Sequence, residues 1–436
     1  MDSTIFFNPV IISILLLCIL CLYKVNVLLS IMISAIAAGI CARINITEVM
    51  NTFIQGMGDN AETALSYILL GAFAAAMTQT GLATILAKKI SVLIKDNAFI
   101  LFVILIVISM LSQNLIPVHI AFIPILIPPL LNIMNKLKID RRAIACCLSF
   151  GLKMPYIVIP AGFGLIFQGL IADNITQNGM SILKSDIWKY NWILGLGMFI
   201  ALLIAIFISY RKPREYKEIE INSDENTVEL KFTKDHYITL FAAFVTLAIQ
   251  ILTKSLPLGA LIGLGIIFGT GTIKHHKMDK LMDEGIGLMG YIAFVMLVAA
   301  GFAAVLKSTG GIETFVNAII NILPANKVFA GAIMLFVGLF ITIGIGTSFG
   351  TIPILAVIFV PVCINLHFSP AEVIVILSAA AALGDAGSPA SDTTLGPTSG
   401  LNADGQHNHI WDTCIPTFLH YNTALILFAL LAIAIF

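Results

Sequence analysis

Charge is the scarcest thing in this sequence. Of 436 residues only 11% are Asp, Glu, Lys or Arg and 59% are hydrophobic, against roughly 25% charged in soluble domains. The mean hydropathy is +1.00. A large soluble domain is excluded, because apolar stretches approaching the ~20 residues that cross a hydrocarbon core recur along the whole length. Neither sign is in surplus: 24 basic residues balance 24 acidic ones, so no global basic field invites nucleic acid. Metal-ligand spacing is missing as well. The seven cysteines, Cys18, Cys21, Cys41, Cys146, Cys147, Cys363 and Cys414, lie in or beside apolar runs, where thiols pack as small hydrophobes. Cys18 and Cys21 form a CxxC with no second pair or histidine near it, which argues against a zinc or redox site. The run from Ile5 to Leu22 lacks a basic leader and a small-residue cleavage site, so a retained helix is expected.

One polar stretch interrupts the apolar text, "RKPREYKEIEINSDENTVELKFTKDH" from Arg211 to His236. On either side the sequence repeats itself. "AFAAAMTQTG" (72–81) matches "GFAAVLKSTG" (301–310) at a shift of 229, and "FIPILIPPLL" (122–131) resembles "TIPILAVIFV" (351–360) at the same shift. "KIDRRAIACC" and "FSPAEVIVIL" align at 230, and the Gly and Pro positions after them at 232. This divides the chain into a first transmembrane repeat (1–210), a cytoplasmic linker (211–235) and a second repeat (236–436). Internal duplication of a membrane chain points to a transporter with its site at the repeat interface.

Basic residues give the orientation. Lys88 and Lys89, "KLKIDRR" (136–142), "RKPR" (211–214) and "KHHK" (274–277) are expected in the cytoplasm. Spans near 5–22, 26–42, 64–86, 143–172 and 190–210, then 236–253, 256–273, 286–306, 370–398 and 412–436, satisfy them. Five crossings per half, an odd number, invert the second half. One apolar block per half, 98–134 and 327–363, must then start and end on one side. Each is broken by a polar tip, "SQNLIP" (112–117) and "GIGTSFGT" (344–351), so both read as re-entrant hairpins. Non-helical tips at membrane depth must be buried in protein or line a cavity; two of them imply a polar chamber. The expected fold is therefore all-α and polytopic, with two inverted repeats, each of about five spanning helices (one broken) and a re-entrant hairpin.

The most helix-hostile segment, "GDAGSPASDTTLGPTSG" (384–400), falls where a span is expected, and its counterpart is "KMPYIVIPAGFG" (153–164). Proline and glycine free backbone carbonyls inside the membrane. With the side chains of Asp385, Ser388, Ser391, Asp392, Thr393 and Thr394 they form an oxygen set suited to Na+ or a proton, joined by Thr347 and Ser348 of the second tip. An Asp at a helix centre costs on the order of 3 kcal/mol on insertion scales, so such residues are rarely ornamental. Ser112, Gln113 and Asn114 of the first tip, Thr351 and His119 are candidates for holding substrate. Lys153, on the counterpart of the Asp385 segment, is expected to be either an internal charge that holds a substrate carboxylate or replaces a lost cation, or a snorkelling lysine near the helix end. His420 is a candidate proton shuttle, and "HNH" (407–409) reads as a loop.

Two enzyme readings fail. "GTSFG" (346–350) fits G-x-S-x-G but lacks the strand-turn-helix context of a nucleophile elbow. An intramembrane aspartyl protease would need two aspartates on separate helices; Asp385 and Asp392 share one broken span, and "ALGD" has Ala382 where GxGD needs glycine.

The segment "LGDAGSPASDTTLGPTSGLNADGQHNHIWDTCIPTFLHYN" resembles the signature region of the bacterial NhaC-like Na+/H+ antiporter family, in the branch that includes histidine and other amino-acid permeases. The resemblance covers nearly the whole chain. It implies an elevator-type ion transporter fold with a scaffold and a moving domain. It also implies a multi-pass location in the bacterial inner membrane. The first half departs from symmetry, with Lys153 where the second has Asp385, which argues against a second full cation site. The expected activity is cation-coupled uptake of an amino acid, histidine-like, with Na+/H+ antiport without organic substrate as the alternative. No enzyme activity and no cofactor beyond the coupling ion, Na+ or H+, are expected. The expected partners are the lipid bilayer, a small-molecule or ion substrate and a second copy of the chain in a homodimer.

Overall fold

A computed structural model describes residues 8–23, 25–82, 85, 97–114, 123, 126–217, 232–253, 255–312, 314, 326–345, 347–389 and 391–436. Every regular element among them is helical. In chain order they are α1 (Pro9–Leu22), α2 (Val27–Cys41), α3 (Ile46–Met57), α4 (Ala61–Gln79), α5 (Ala98–Asn114) and α6 (Pro128–Lys136). Then come α7 (Arg141–Val158), α8 (Phe163–Gln177), α9 (Ile187–Ile204), α10 (Lys234–Thr253), α11 (Leu256–Gly269) and α12 (Met278–Ser308). The chain ends with α13 (Lys327–Ile345), α14 (Ser348–Asn365), α15 (Pro370–Ala382), α16 (Asp392–Leu401) and α17 (His409–Ile435), the last containing π-helical turns. Six of these stretches are long and apolar enough to cross a membrane, or seven when the bent pair α7–α8 counts as one span.

Two expected boundaries move. The span placed at 64–86 starts at Ile46: Asn45 caps α3, and a single turn at Gly58–Asn60 joins it to α4, giving one 34-residue rod. The span placed at 286–306 likewise begins at Met278. Both first segments, "ITEVMNTFIQGM" and "MDKLMDEG", carry charged residues, so hydropathy alone does not mark them as part of a span. Their helical continuity comes from packing, for the two rods lie antiparallel over their length. A Cβ at Gly71 would meet the backbone of Gly285 at 2.6 Å, and one at Gly301 would meet that of Phe53 at 2.7 Å. Gly56 in turn faces Ala300 and Gly301. Glycine at these points lets two backbones approach closely. Gly71 and Gly301 are 230 residues apart, and Gly56 and Gly285 are 229 apart, so the two contacts exchange under the shift that relates the halves.

Two broken helices cross the interior. α7 and α8 meet at a 48° bend. Pro160 lacks the N–H that would bond the carbonyl four residues back, and Gly162 takes a φ of 56°. α15 stops at Ala382, and turns through 383–389 precede α16, with Gly387 at a φ of 94° where a Cβ would strike Phe418. The first turn of α7 lies against the end of α16, where Arg141 Nη1 donates to Leu401 O at 2.9 Å. The two broken spans therefore run in opposite directions. Lys138, Arg141, Arg142 and Arg214 gather at this end, which the positive-inside rule assigns to the cytoplasm.

At the other end Lys327, the first residue of α13, pairs with Glu372 at 2.9 Å and lies over the Phe368 ring at 5.3 Å. The start of α13 is thus close to the turn between α14 and α15, while Ser348 at the start of α14 reaches Asp385 in the interior. This is the geometry of a hairpin that begins and ends on one side. α14 is by itself long enough to cross a bilayer. Residues 115–117 of the first expected tip lie outside the described residues.

Candidate functional site

The inward tip and the two breaks converge on Asp385, which is 6% exposed. Its Oδ2 accepts from Lys153 Nζ at 3.0 Å, from Ser348 Oγ at 2.7 Å and from Tyr156 OH at 3.2 Å. Its Oδ1 accepts from Ser391 Oγ. The Tyr156 and Ser348 oxygens lie 3.0 Å apart. Lys153 is fully buried, so its ammonium rests on an internal ion pair and does not extend to the helix end. Taking one buried charge from such a pair strands the other, a loss of about 3–5 kcal/mol.

Local sequence explains how these groups meet. Lys153 and Tyr156 are three residues apart on α7 and share a face. Ser391 caps α16, its Oγ accepting from Thr393 N at 3.1 Å while donating to Asp385. Asp392 is the first residue of α16, where a carboxylate is favoured by the helix dipole. It is partly exposed and makes no hydrogen bond or ion pair to a described residue. The two candidate aspartates thus differ: one is surrounded by donors and the other has no hydrogen-bond or ion-pair partner among the described residues.

The remaining expected residues divide. Thr393 Oγ1 reaches Ser391 Oγ at 2.9 Å and the Asp385 carbonyl at 3.3 Å. Thr394 Oγ1 donates to the Ser388 carbonyl at 2.5 Å and the Ser391 carbonyl at 2.9 Å, bracing the break. Thr347 precedes α14 without a side-chain cap. Thr351 and Ser112 turn back on their own helices, bonding Ser348 O at 2.8 Å and Ser109 O at 3.0 Å. The side chains of Gln113 and Asn114, and all of His119, lie outside the described residues. His420 bonds Ser209 at 2.9 Å and the Pro416 carbonyl at 2.7 Å, away from Asp385.

Several residues at the site were not read from sequence. Tyr156 was passed over within "KMPYIVIPAGFG" because an aromatic in an apolar run reads as packing; its i+3 spacing from Lys153 was the available signal. Phe349 stands beside Ser348 at the tip, with ring centroids of Tyr156, Phe163, Phe167 and Tyr67 5.2–5.9 Å away. Of these rings Tyr156 carries the hydroxyl bonded to Asp385. Asn422 donates to the Ala386 carbonyl at 3.0 Å, and Ser149 to that of Thr393 at 2.6 Å. Both bind carbonyls that the break leaves free.

A cavity of about 290 Å³ lies at the end opposite the arginines, lined among others by Asp59, Glu62, Ser66, Asp173, Lys184 and Trp188. Ser66, Leu165 and Ile166 bring it next to the residues carrying Tyr67, Phe163 and Phe167.

A polytopic helical chain with a buried ion pair between two oppositely directed broken spans is a membrane transporter, and its sequence matches agree. Residues 147–433 match the Na+/H+ antiporter family and residues 8–94 a second Na+-H+ antiporter family. The chain belongs to the Na+/H+ antiporter family. It is 46% identical over 437 residues to an uncharacterized membrane protein of Vibrio parahaemolyticus, covering 98% of this chain and 99% of that one. It is 44% identical over 441 residues to a Bacillus subtilis protein named "Putative amino acid transporter YuiF", covering 98% and 99%. In fold it is similar to the Alcanivorax borkumensis YdaH transporter (TM-score 0.59, 13% identity, 89% of this chain and 88% of that one). It is also similar to Neisseria gonorrhoeae MtrF, of a class of antimetabolite efflux pumps (TM-score 0.58, 14% identity, 90% and 84%).

Proposed function

We propose that this protein is a secondary active transporter of the bacterial inner membrane that couples a cation, Na+ or H+, to uptake of an amino acid, histidine-like by the resemblance of its signature segment. The observation that carries the reading is Asp385 held between two broken spans by an ammonium and three hydroxyls, with Asp392 open beside it. A cation arriving at Asp392 and Asp385 competes with Lys153 for the same carboxylate. Displaced from its partner in a low-dielectric interior, the ammonium is driven to give up its proton. Cation entry is thereby linked to proton exit. The antiparallel course of the broken spans and the exchange of glycine contacts under the 229–230 shift support an inverted-repeat arrangement.

The organic cargo is supported by the name of the Bacillus subtilis relative and by the outer cavity, whose volume stands at the low end of the roughly 300–1,000 Å³ usual for small-molecule sites. Carboxylates of Asp59 and Glu62 line it with the exposed pair of Lys184 and Asp173, 2.7 Å apart, so both signs of charge border the space. A second reading, Na+/H+ exchange with no organic cargo, is favoured by one observation: Lys153, expected to hold a substrate carboxylate, is already engaged by Asp385.

Proteoliposomes separate the two. Labelled amino acids are offered under imposed Na+ or pH gradients while an internal dye follows pH. Gradient-dependent accumulation of an amino acid supports the first reading. Sodium-driven proton movement with no accumulation of any amino acid establishes the second, and neither signal would refute both.

A further inference from the structure

The sequence "HNH" at 407–409, expected to be plain loop, is bonded into the second break. His409 Nε2 lies 2.9 Å from the carbonyl of Pro389, and its Nδ1 lies 2.8 Å from Thr398 Oγ1. Thr398 gives its hydroxyl hydrogen to Thr413 Oγ1 at 2.9 Å, and Thr413 Oγ1 lies 2.7 Å from Nε2 of His407. A carbonyl only accepts, so Nε2 of His409 donates. Thr398 has one hydrogen and spends it on Thr413, so it offers His409 only a lone pair and Nδ1 donates too. A histidine that donates from both ring nitrogens is the imidazolium. By the same logic Thr413 donates to His407, which is neutral at Nε2. The four side chains form a wire polarised from a charged His409 toward an uncharged His407.

We propose that His409 stores a transported proton beside the second break and exchanges it with the cytoplasm through Thr398, Thr413 and His407. The inference rests on the reading that protons are among the coupled ions. In the outward hop the Nδ1–H bond of His409 breaks as an O–H forms on Thr398. The hydrogen of Thr398 passes to Thr413, and that of Thr413 to Nε2 of His407. His407 then releases the hydrogen on its other nitrogen to water in an open cavity of about 390 Å³ that both histidines line with Asn402, Gln406 and Asp412. His409 is left neutral with its Nε2–H still on Pro389, and the wire points the other way until the next proton enters.

The surroundings favour passage over storage at His407. This ring is 2% exposed. Burial lowers its pKa to about 4; Asp412 of α17 and Asp140 oppose the shift, while Arg141 of α7 and Arg214 of the linker reinforce it. Around His409 the contacts are Thr398, the Pro389 carbonyl and Cys414 Sγ at 3.6 Å, none of them cationic. His407 is therefore a point of passage in the wire.

The test is Thr398→Val, which cuts the wire and keeps both histidines, set against Thr398→Ser, which keeps the hydroxyl. In proteoliposomes with a pH dye, Thr398→Val should slow proton movement at least tenfold and flatten its dependence on cytoplasmic-side pH. Thr398→Ser should retain the wild-type profile. If Thr398→Val fails to reach the membrane, His407→Gln takes its place with the same expected loss. Wild-type proton movement and pH profile in the wire-cutting variant would overturn the inference, as would equal loss in Thr398→Ser, which would assign the effect to packing. A wild-type protein that moves no protons at all would overturn the coupling reading instead.

Discussion

The two breaks, 159–162 and 383–391, are built on one plan and finished with opposite chemistry. Each receives an asparagine from the helix that follows its broken span. Asn191 of α9 donates to the Ile157 carbonyl at 3.1 Å, and Asn422 of α17 donates to that of Ala386 at 3.0 Å. The two asparagines are 231 residues apart. Asn422 is used at both ends, its Oδ1 accepting from Gly384 N at 3.3 Å. Asn191 Oδ1 has no partner among the described residues, nor has Oε1 of Gln168, which donates to the same Ile157 carbonyl at 3.3 Å. The first break carries the ammonium and has acceptor oxygens to spare. The second carries the carboxylates, one of them wrapped in donors. Two similarly braced breaks thus carry opposite charges, one the positive and the other the negative partner of a single pair.

Exchanging the partners breaks this comparison most severely. Were the breaks equivalent, Lys153→Asp with Asp385→Lys would preserve transport. Ser348, Tyr156 and Ser391 all aim donors at position 385, so the swapped protein should lose at least 100-fold in proteoliposome transport. Asp385→Asn should lose as much while still inserting into the membrane. Lys153→Gln strands Asp385 and should cost about 3–5 kcal/mol in unfolding stability, whereas Lys153→Gln with Asp385→Asn should recover most of that stability and none of the transport. A double-mutant cycle without coupling would remove the ion pair from the account. Asp392→Asn should leave stability within about 0.5 kcal/mol and raise the cation concentration for half-maximal transport at least tenfold.

The asparagines sharpen the comparison at a smaller scale. Asn422→Ala leaves a carbonyl and an N–H of the second break unpaired and should cost about 1–3 kcal/mol. Asn191→Ala removes donors to Ser378 Oγ at 3.0 Å and to the Ile157 carbonyl, but that carbonyl keeps Gln168 Nε2 at 3.3 Å, so the variant should cost less, read as the smaller fall in melting temperature in detergent. The last effect depends on pH and belongs to His407. The fold holds it neutral, with its pKa lowered to about 4 from the usual 6.5 by burial. Below about pH 6.5 the unfolded chain takes a proton that the native chain refuses. Native stability should therefore be full above that pH and fall by about 1–3 kcal/mol as the medium is acidified toward 4. His407→Gln should flatten that slope.

Much of this plan is legible in the residues. Gly and Pro near 153–164 and 384–400 mark both breaks, and the shift of 232 already sets Lys153 opposite Asp385. Their bonding was not read, because a shift states which positions are equivalent and not that the axis relating them passes between the two side chains. Asp385 and Asp392, grouped by sequence in one oxygen set, separate only when donors from α7 and the α14 tip are added. α3 was missed because its polar face resembles a loop, although a rod packed against α12 keeps it helical.

The residues between the breaks also have an electrical meaning. Lys153 cancels Asp385, so with both carboxylates ionised Asp392 leaves one negative charge uncompensated. A proton on Asp392, or a monovalent cation that enters while Lys153 keeps its own proton, brings the total to zero. If these residues cross the membrane field together, the vacant step feels about 2.3 kcal/mol for every 100 mV, and the occupied step feels none. Membrane voltage would then act as a bias on the return stroke alone, set by one unpaired aspartate.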